Sequence, residues 1–373
     1  MIRMLFAAVC ASATGLSSAL AAGLPPLSAD VQAKAKTAHD RGVEFLLKQQ
    51  RDNGQWGSDD FQPAITALAL RALLGGGKKA DDPAIRKGLD VLLKYRKDDG
   101  GLYDKQLRNY TTSLAVLALH AAGRPEDKPV IKAAGEFLIK SQAGADEQDE
   151  LAAAARNRDF GGHGYGGPGR PDLSNTHLVL EALKETADPD DPKVKAALRR
   201  AQVFLSRMQL RSESNDQSWL PKGTDDGGFV YDMPKAAPAA GKGDAGPLRS
   251  YGSMTYAGFK SMLYAGLSRD DPRVKDAFKW ICRHYSLAEN PQMGRAGLFY
   301  YYHIFARALK EWGEPVITDR DGVKHDWRAE LVARLDAMRS ADGSWVNTDR
   351  RWMETDPTLC TCFALMALQE VTK

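Results

Sequence analysis

The chain has 373 residues, a formal net charge of +3, and 43% hydrophobic against 27% charged residues. So small a net charge gives no electrostatic case for a nucleic-acid partner. The hydrophobic content excludes a disordered chain and is enough for a sizeable core.

The first 21 residues stand apart. Arg3 precedes the uncharged run "MLFAAVCASATGLSSALAA", which contains the cleavage-type tripeptide Ala19-Leu20-Ala21. This reads as a secretory signal peptide over residues 1–21, so a secreted or periplasmic product is expected. Residues 22–38 read as a leader and the start of the first helix. No other segment is apolar and long enough to span a bilayer, so no membrane span is expected after cleavage. Cleavage removes Cys10 and leaves Cys282, Cys360 and Cys362. That odd number implies no disulfide framework, and free thiols are expected.

From residue 39 onward an amphipathic element recurs. In chain order it reads "VEFLLKQQ", "LDVLLKYR", "GEFLIKSQ", "QVFLSRMQ", "FKWICRHY" and "VARLDAMR". Apolar residues at helical spacing make these the A helices. A Gly-rich turn follows each, as in "DNGQWG", "DDGGLY" and "ADGSWVN". Glycine ends the helix, and the aromatic after it staples the returning chain to the core. The third and fourth turns are enlarged. A second helix then begins at Thr66, Thr112, Thr176, Thr255, Tyr302 and Thr361, as in "TALALRAL" and "TCFALMAL". These B helices are apolar nearly all round and must be enclosed. Both terminal repeats look like interior ones, with no polar capping unit. The expected fold is therefore all-α: a single (α/α)6 toroid of six hairpins over residues 39–373. The B helices form the inner wall and the A helices the outer one.

The links from B to A carry Asp-Asp-Pro at Asp81, Asp190 and Asp270. Asp is a good N-cap and Pro is tolerated at the first helical position, so the triplet opens A helices. Asp190 is the expected cap of its helix. Asp188-Pro189-Asp190-Asp191 also spells D-x-D-D, but the repetition elsewhere makes this capping chemistry.

With these repeats in view, the chain resembles the terpenoid-cyclase and protein-prenyltransferase repeat superfamily, in an exported bacterial branch. The residues that carry the likeness are Gln49-Gln50 to Trp56, Asp99-Gly100-Gly101, Asp226-Gly227-Gly228-Phe229, Gln292 to Tyr300, Asp342-Gly343-Ser344-Trp345 and the Thr-led B helices. The resemblance covers essentially the whole mature chain and implies the (α/α)6 toroid. In squalene-type cyclases an acidic pair directly precedes the Thr of a B helix. Here those places hold Ala64-Ile65, Tyr110-Thr111, Ser174-Asn175, Ser253-Met254, Tyr300-Tyr301 and Leu359-Cys360, none of them acidic. The prenyltransferase zinc ligands are also missing: Cys360 falls where a His would be, and Ser253-Met254-Thr255 replaces Asp-x-Cys. No metal and no cofactor are expected.

Other residues remain as candidates. Asp172, Glu354 and Asp356 lie just before B helices; they are either an acid–base set or carboxylates complementing helix dipoles. His303 lies on an aromatic helix, as a core residue or a ligand contact. Tyr251, Tyr300, Tyr301 and Trp352 are expected around the central cavity, with at least one of the consecutive tyrosines in the wall. Arg170 and Arg249, with Arg108, Arg295, Arg350 and Arg351, precede B helices, where they either attract an anionic head or are solvated and paired. The expectation is a monomeric toroid that binds a hydrophobic or amphiphilic small molecule, isoprenoid-like in type. The alternatives are a cyclase- or isomerase-type enzyme using another carboxylate, and a cell-surface module for protein or polysaccharide.

Overall fold

The computed structural model describes residues 24–166, 170–220, 225–233 and 249–372. The expected signal peptide lies outside them. The six A helices are α1 (Ala29–Lys48), α3 (Pro83–Leu93), α5 (Lys128–Lys140), α8 (Pro192–Met208), α10 (Pro272–Arg283) and α12 (Trp327–Met338). The six B helices are α2 (Ala64–Gly75), α4 (Arg108–Ala122), α7 (Leu173–Thr186), α9 (Gly252–Tyr264), α11 (Leu298–Trp312) and α13 (Pro357–Thr372). Each B helix packs on the next, and α13 packs back on α2, which closes the inner ring. Outside it, α1 packs against α12 and α13. The fold is the all-α toroid.

The recurring residues explain the recurring geometry. The leading Thr of five B helices accepts a backbone N–H from the preceding turn through its Oγ1. The pairs are Thr66 with Trp56, Thr112 with Leu102, Thr176 with His163, Thr255 with Phe229 and Thr361 with Trp345, at 2.9–3.1 Å. A buried backbone donor would otherwise go unpaired. Glutamines join the hairpins in the same way. Gln50, Gln142 and Gln209 each donate to a carbonyl of their own turn and to one in the next A helix, at Ala84, Ala197 and Arg273. The turns approach so closely that only glycine fits. A Cβ on Gly227 would lie 2.5 Å from the Asp276 carbonyl oxygen, and one on Gly343 2.5 Å from that of Arg41. Both glycines have left-handed backbone. Because Arg41 belongs to α1, the sixth turn docks on the first A helix as the first four turns dock on their successors.

Three features differ from or add to the sequence reading. The cap of α8 is Asp191, whose Oδ1 accepts the Lys193 N–H at 2.7 Å; Asp190 is exposed and pairs with Lys195 at 2.8 Å. Asp271 caps α10 in the same way. In both cases the residue directly before the proline supplies the capping oxygen, whereas Asp82 before Pro83 makes no such bond and accepts the Lys79 N–H at 3.0 Å instead. A short helix, α6 (Glu150–Arg156), follows α5, and an antiparallel hairpin of β1 (Val316–Thr318) and β2 (Lys324–Asp326) links α11 to α12. Cys282, Cys360 and Cys362 are free thiols.

Candidate functional site

The aligned B-helix starts provide a common register. Two residues before each stand Ala64, Tyr110, Ser174, Ser253, Tyr300 and Leu359, and all six line one cavity of about 310 Å³. The cavity therefore sits at the N-terminal mouth of the inner barrel. Ile65, Leu68, Met254 and Phe363 extend its apolar wall, and Tyr165, Tyr231, Tyr251, Trp352 and Met353 close round it from the loops. No Lys or Arg lines it among the described residues.

Seven residues further along, two helical turns deeper, the same face becomes ionic. Arg71, Glu181, Lys260 and Arg307 each stand five residues after an aligned start. At 1.5 Å rise per residue this layer lies about 10 Å below the cavity ring. Arg71 donates to Glu181 at 2.6 Å, and Lys260 pairs with its other oxygen. Arg307 lies 3.4 Å from Glu181 and bridges to Glu370 at 2.6 Å, which Lys310 also meets. Lys260 and Glu181 are wholly buried. Burial opposes the charge on Glu181, but Arg307, Lys260 and Arg71 outweigh it and hold its carboxyl well below the usual range. The central channel is thus an apolar chamber above a salt-bridged plug.

The candidate carboxylates all sit at B-helix N-termini. Asp172 caps α7, accepting the Asn175 N–H at 2.9 Å, the Ser174 hydroxyl at 2.6 Å and the Asn175 side chain at 2.8 Å. Asp356 accepts the Thr358 N–H at the start of α13. Glu354 caps a neighbouring helix: it accepts the N–H groups of Phe299 and Tyr300 on α11, and the Asn347 side chain. Of the three, Glu354 alone reaches the cavity wall. Burial raises the carboxyls of both Asp172 and Glu354, against the pull of these hydrogen bonds.

The remaining candidates divide. Tyr251, Tyr300 and Trp352 line the cavity. Tyr301 does not: its buried hydroxyl donates to the Ser286 carbonyl at 2.8 Å, and its ring meets Tyr256 edge-on. One residue along a helix turns the side chain about 100°, from cavity to wall. His303 lies below the chamber, stacked on Phe363 and near the ionic layer. Arg170 turns away to Asp159 at 3.5 Å, and Arg249 is exposed beside Met293. Arg351 stacks on the Trp352 ring at 4.7 Å, outside the wall.

The backbone marks the same place. Four described non-glycine residues have left-handed φ, and three of them, Leu107, Trp352 and Met353, line the cavity. Such conformations cost roughly 1–3 kcal/mol and cluster where function holds them.

Residues 108–372 match the profile of the squalene-hopene cyclase C-terminal domain. The chain belongs to that family. The squalene-hopene cyclase C-terminal domain match begins at α4, yet the first hairpin repeats the same Thr and Gln bonds. Solved structures of similar fold include a protein from Actinoplanes, 18% identical, with TM-score 0.52, over 91% of this chain and 100% of that one. A variant of the type II terpene cyclase MstE from Scytonema, in its apo form, is 14% identical with TM-score 0.56, over 93% and 99%. Another variant of that enzyme, in complex with geranylgeranyl dihydroxybenzoate as substrate, is 14% identical with TM-score 0.55, over 93% and 99%. No curated protein matches the chain. Among the described residues no group of three His, Cys, Asp or Glu is placed to hold a metal ion. No described helix is long and apolar enough to cross a membrane.

Proposed function

We propose that this is an exported, monomeric toroid whose cavity holds the apolar, isoprenoid-like chain of a hydrophobic or amphiphilic ligand. The observation that carries the reading is the cavity ring itself. Its six positions, two before each B-helix start, are apolar, aromatic or Ser, and none can protonate an alkene. The volume lies at the lower end of the ~300–1,000 Å³ usual for small-molecule sites. With no cation on the wall, an uncharged head fits better than a diphosphate. An open chamber also disfavours a rim-only interaction module, which would keep a filled centre.

One observation favours a second reading. Glu354 is a cavity carboxyl whose proton affinity burial raises, as an acid catalyst requires. Against it, both its oxygens are already engaged by α11 and Asn347. Calorimetric titration with uncharged isoprenoid alcohols should give one ligand per chain and a negative heat-capacity change. Mass spectrometry and NMR should recover the alcohol unaltered. A product formed by the wild type and lost in Glu354→Gln, at unchanged melting temperature, would put the acid reading in its place. No binding by any chain length would overturn both.

A further inference from the structure

At the boundary between the chamber and the ionic plug, one hydrogen-bond chain runs from layer to layer. The Tyr300 ring lines the cavity, and its hydroxyl lies 2.6 Å from His177 Nε2. On the far side of that imidazole, Lys260 Nζ lies 3.5 Å from Nδ1. Lys260 also pairs with Glu181 and faces the Tyr264 ring at 5.3 Å.

The direction of each bond follows from what each group can do. A lysine ammonium has donors only, so His177 Nδ1 is the acceptor and bears no proton. A neutral imidazole keeps one N–H, which is then at Nε2 and donates to the Tyr300 oxygen. Burial, reinforced by Lys260, holds the His177 pKa well below its ordinary value, so the ring is neutral. Burial likewise raises the Tyr300 phenol, which keeps its proton. Because its oxygen accepts from His177, the Tyr300 O–H is left to donate elsewhere. Tyr300 lines the cavity, where a ligand oxygen can accept that proton.

We propose that Lys260 and His177 orient the Tyr300 hydroxyl as a fixed donor at the floor of the chamber, which selects an apolar chain carrying a hydrogen-bond-accepting oxygen over the bare hydrocarbon. This rests on the cavity reading and adds the polar feature of its ligand. Tyr300 is the binding residue; His177 and Lys260 are positioning residues that act through it. The ligand class is a ketone or ether of isoprenoid length, for which a hydroxyl-free oxygen suffices.

The test uses the full chain, with geranylacetone as the acceptor-only probe and the hydrocarbon with CH₂ in place of C=O as its control. One buried neutral hydrogen bond predicts roughly tenfold tighter binding of the ketone. In Tyr300→Phe the ratio of ketone to hydrocarbon affinity should fall to about one. Separately, ¹⁵N NMR of imidazole-labelled protein should show His177 protonated at Nε2 and bare at Nδ1, and Lys260→Met should remove that bias. Equal affinity of the wild type for ketone and hydrocarbon, or an Nδ1-protonated His177, overturns the inference and leaves the cavity reading intact. A ketone preference that survives Tyr300→Phe also overturns it. If neither probe binds, the cavity reading falls and the inference with it.

Discussion

At Asp191 a single carboxylate decides where α8 begins. Its side chain takes up a backbone N–H that has no partner within the helix. Asp191→Ala should therefore cost about 0.5–2 kcal/mol in urea unfolding. Asp190→Ala and Asp188→Asn should leave the midpoint where it was. Asp188 merely accepts the Asp190 N–H, at the rim opposite the cavity. An equal loss from Asp190→Ala would return the cap to that residue. At this scale the sequence was legible in kind but not in register: repetition of Asp-Asp-Pro revealed a capping device, whereas the capping Asp is chosen by the geometry before proline. Tyr300 and Tyr301 teach the same lesson. Adjacent aromatics look alike in sequence, yet one faces ligand space and the other the wall. Glu354 was found for its position before α13, but its partners on α11 could not be read from local sequence.

The hairpin is the element that the sequence states most clearly, because its parts are local and repeated. A helix, a glycine-hinged turn and a Thr-led apolar helix recur with enough regularity to predict both walls of the ring. Thr361 shows how the unit holds together. Its Oγ1 pairs the buried Trp345 N–H, and the Trp345 indole donates to the Leu335 carbonyl at 2.7 Å. Thr361→Val keeps the shape but leaves a buried donor unpaired, so a loss of about 1–3 kcal/mol is expected. Thr361→Ser should recover most of it; a Val variant as stable as wild type would show that the bond contributes nothing. What the element scale hid was the ionic layer. Arg71, Glu181, Lys260 and Arg307 share one column five residues after the aligned starts, but scattered charges in apolar helices look like exceptions until the ring closes. Alignment of the B helices was the available signal. The extra residues of the enlarged third and fourth turns fall outside the repeat, so neither α6 nor the approach of Tyr165 and Tyr231 to the cavity could be placed from sequence.

The whole molecule ties stability to acid through groups buried in particular charge states. Burial lowers His163 and His303 to about 4, so folding favours their neutral forms. Their contribution is fully present above the ordinary histidine pKa of about 6.5 and is lost as the pH falls towards 4, by up to about 3 kcal/mol each. Glu370 follows later. Burial alone would raise it, but Arg307 and Lys310 hold its carboxyl at about 2, so its contribution declines only from the unfolded carboxyl range downward. Urea midpoints should thus fall between pH 7 and pH 4 before the ionic plug itself fails. A flat profile across that interval would mean that the histidines are solvated or paired in the folded state.

The central claim is that the ligand chamber is the B-helix mouth. A diazirine-bearing isoprenoid alcohol, photolysed on the intact protein and followed by peptide mass spectrometry, tests it directly. The label should fall on peptides carrying Tyr110, Tyr300, Trp352 or Phe363, and excess unlabelled alcohol should compete it away. Competable labelling confined to the outer A helices, or none at the mouth, would contradict the claim.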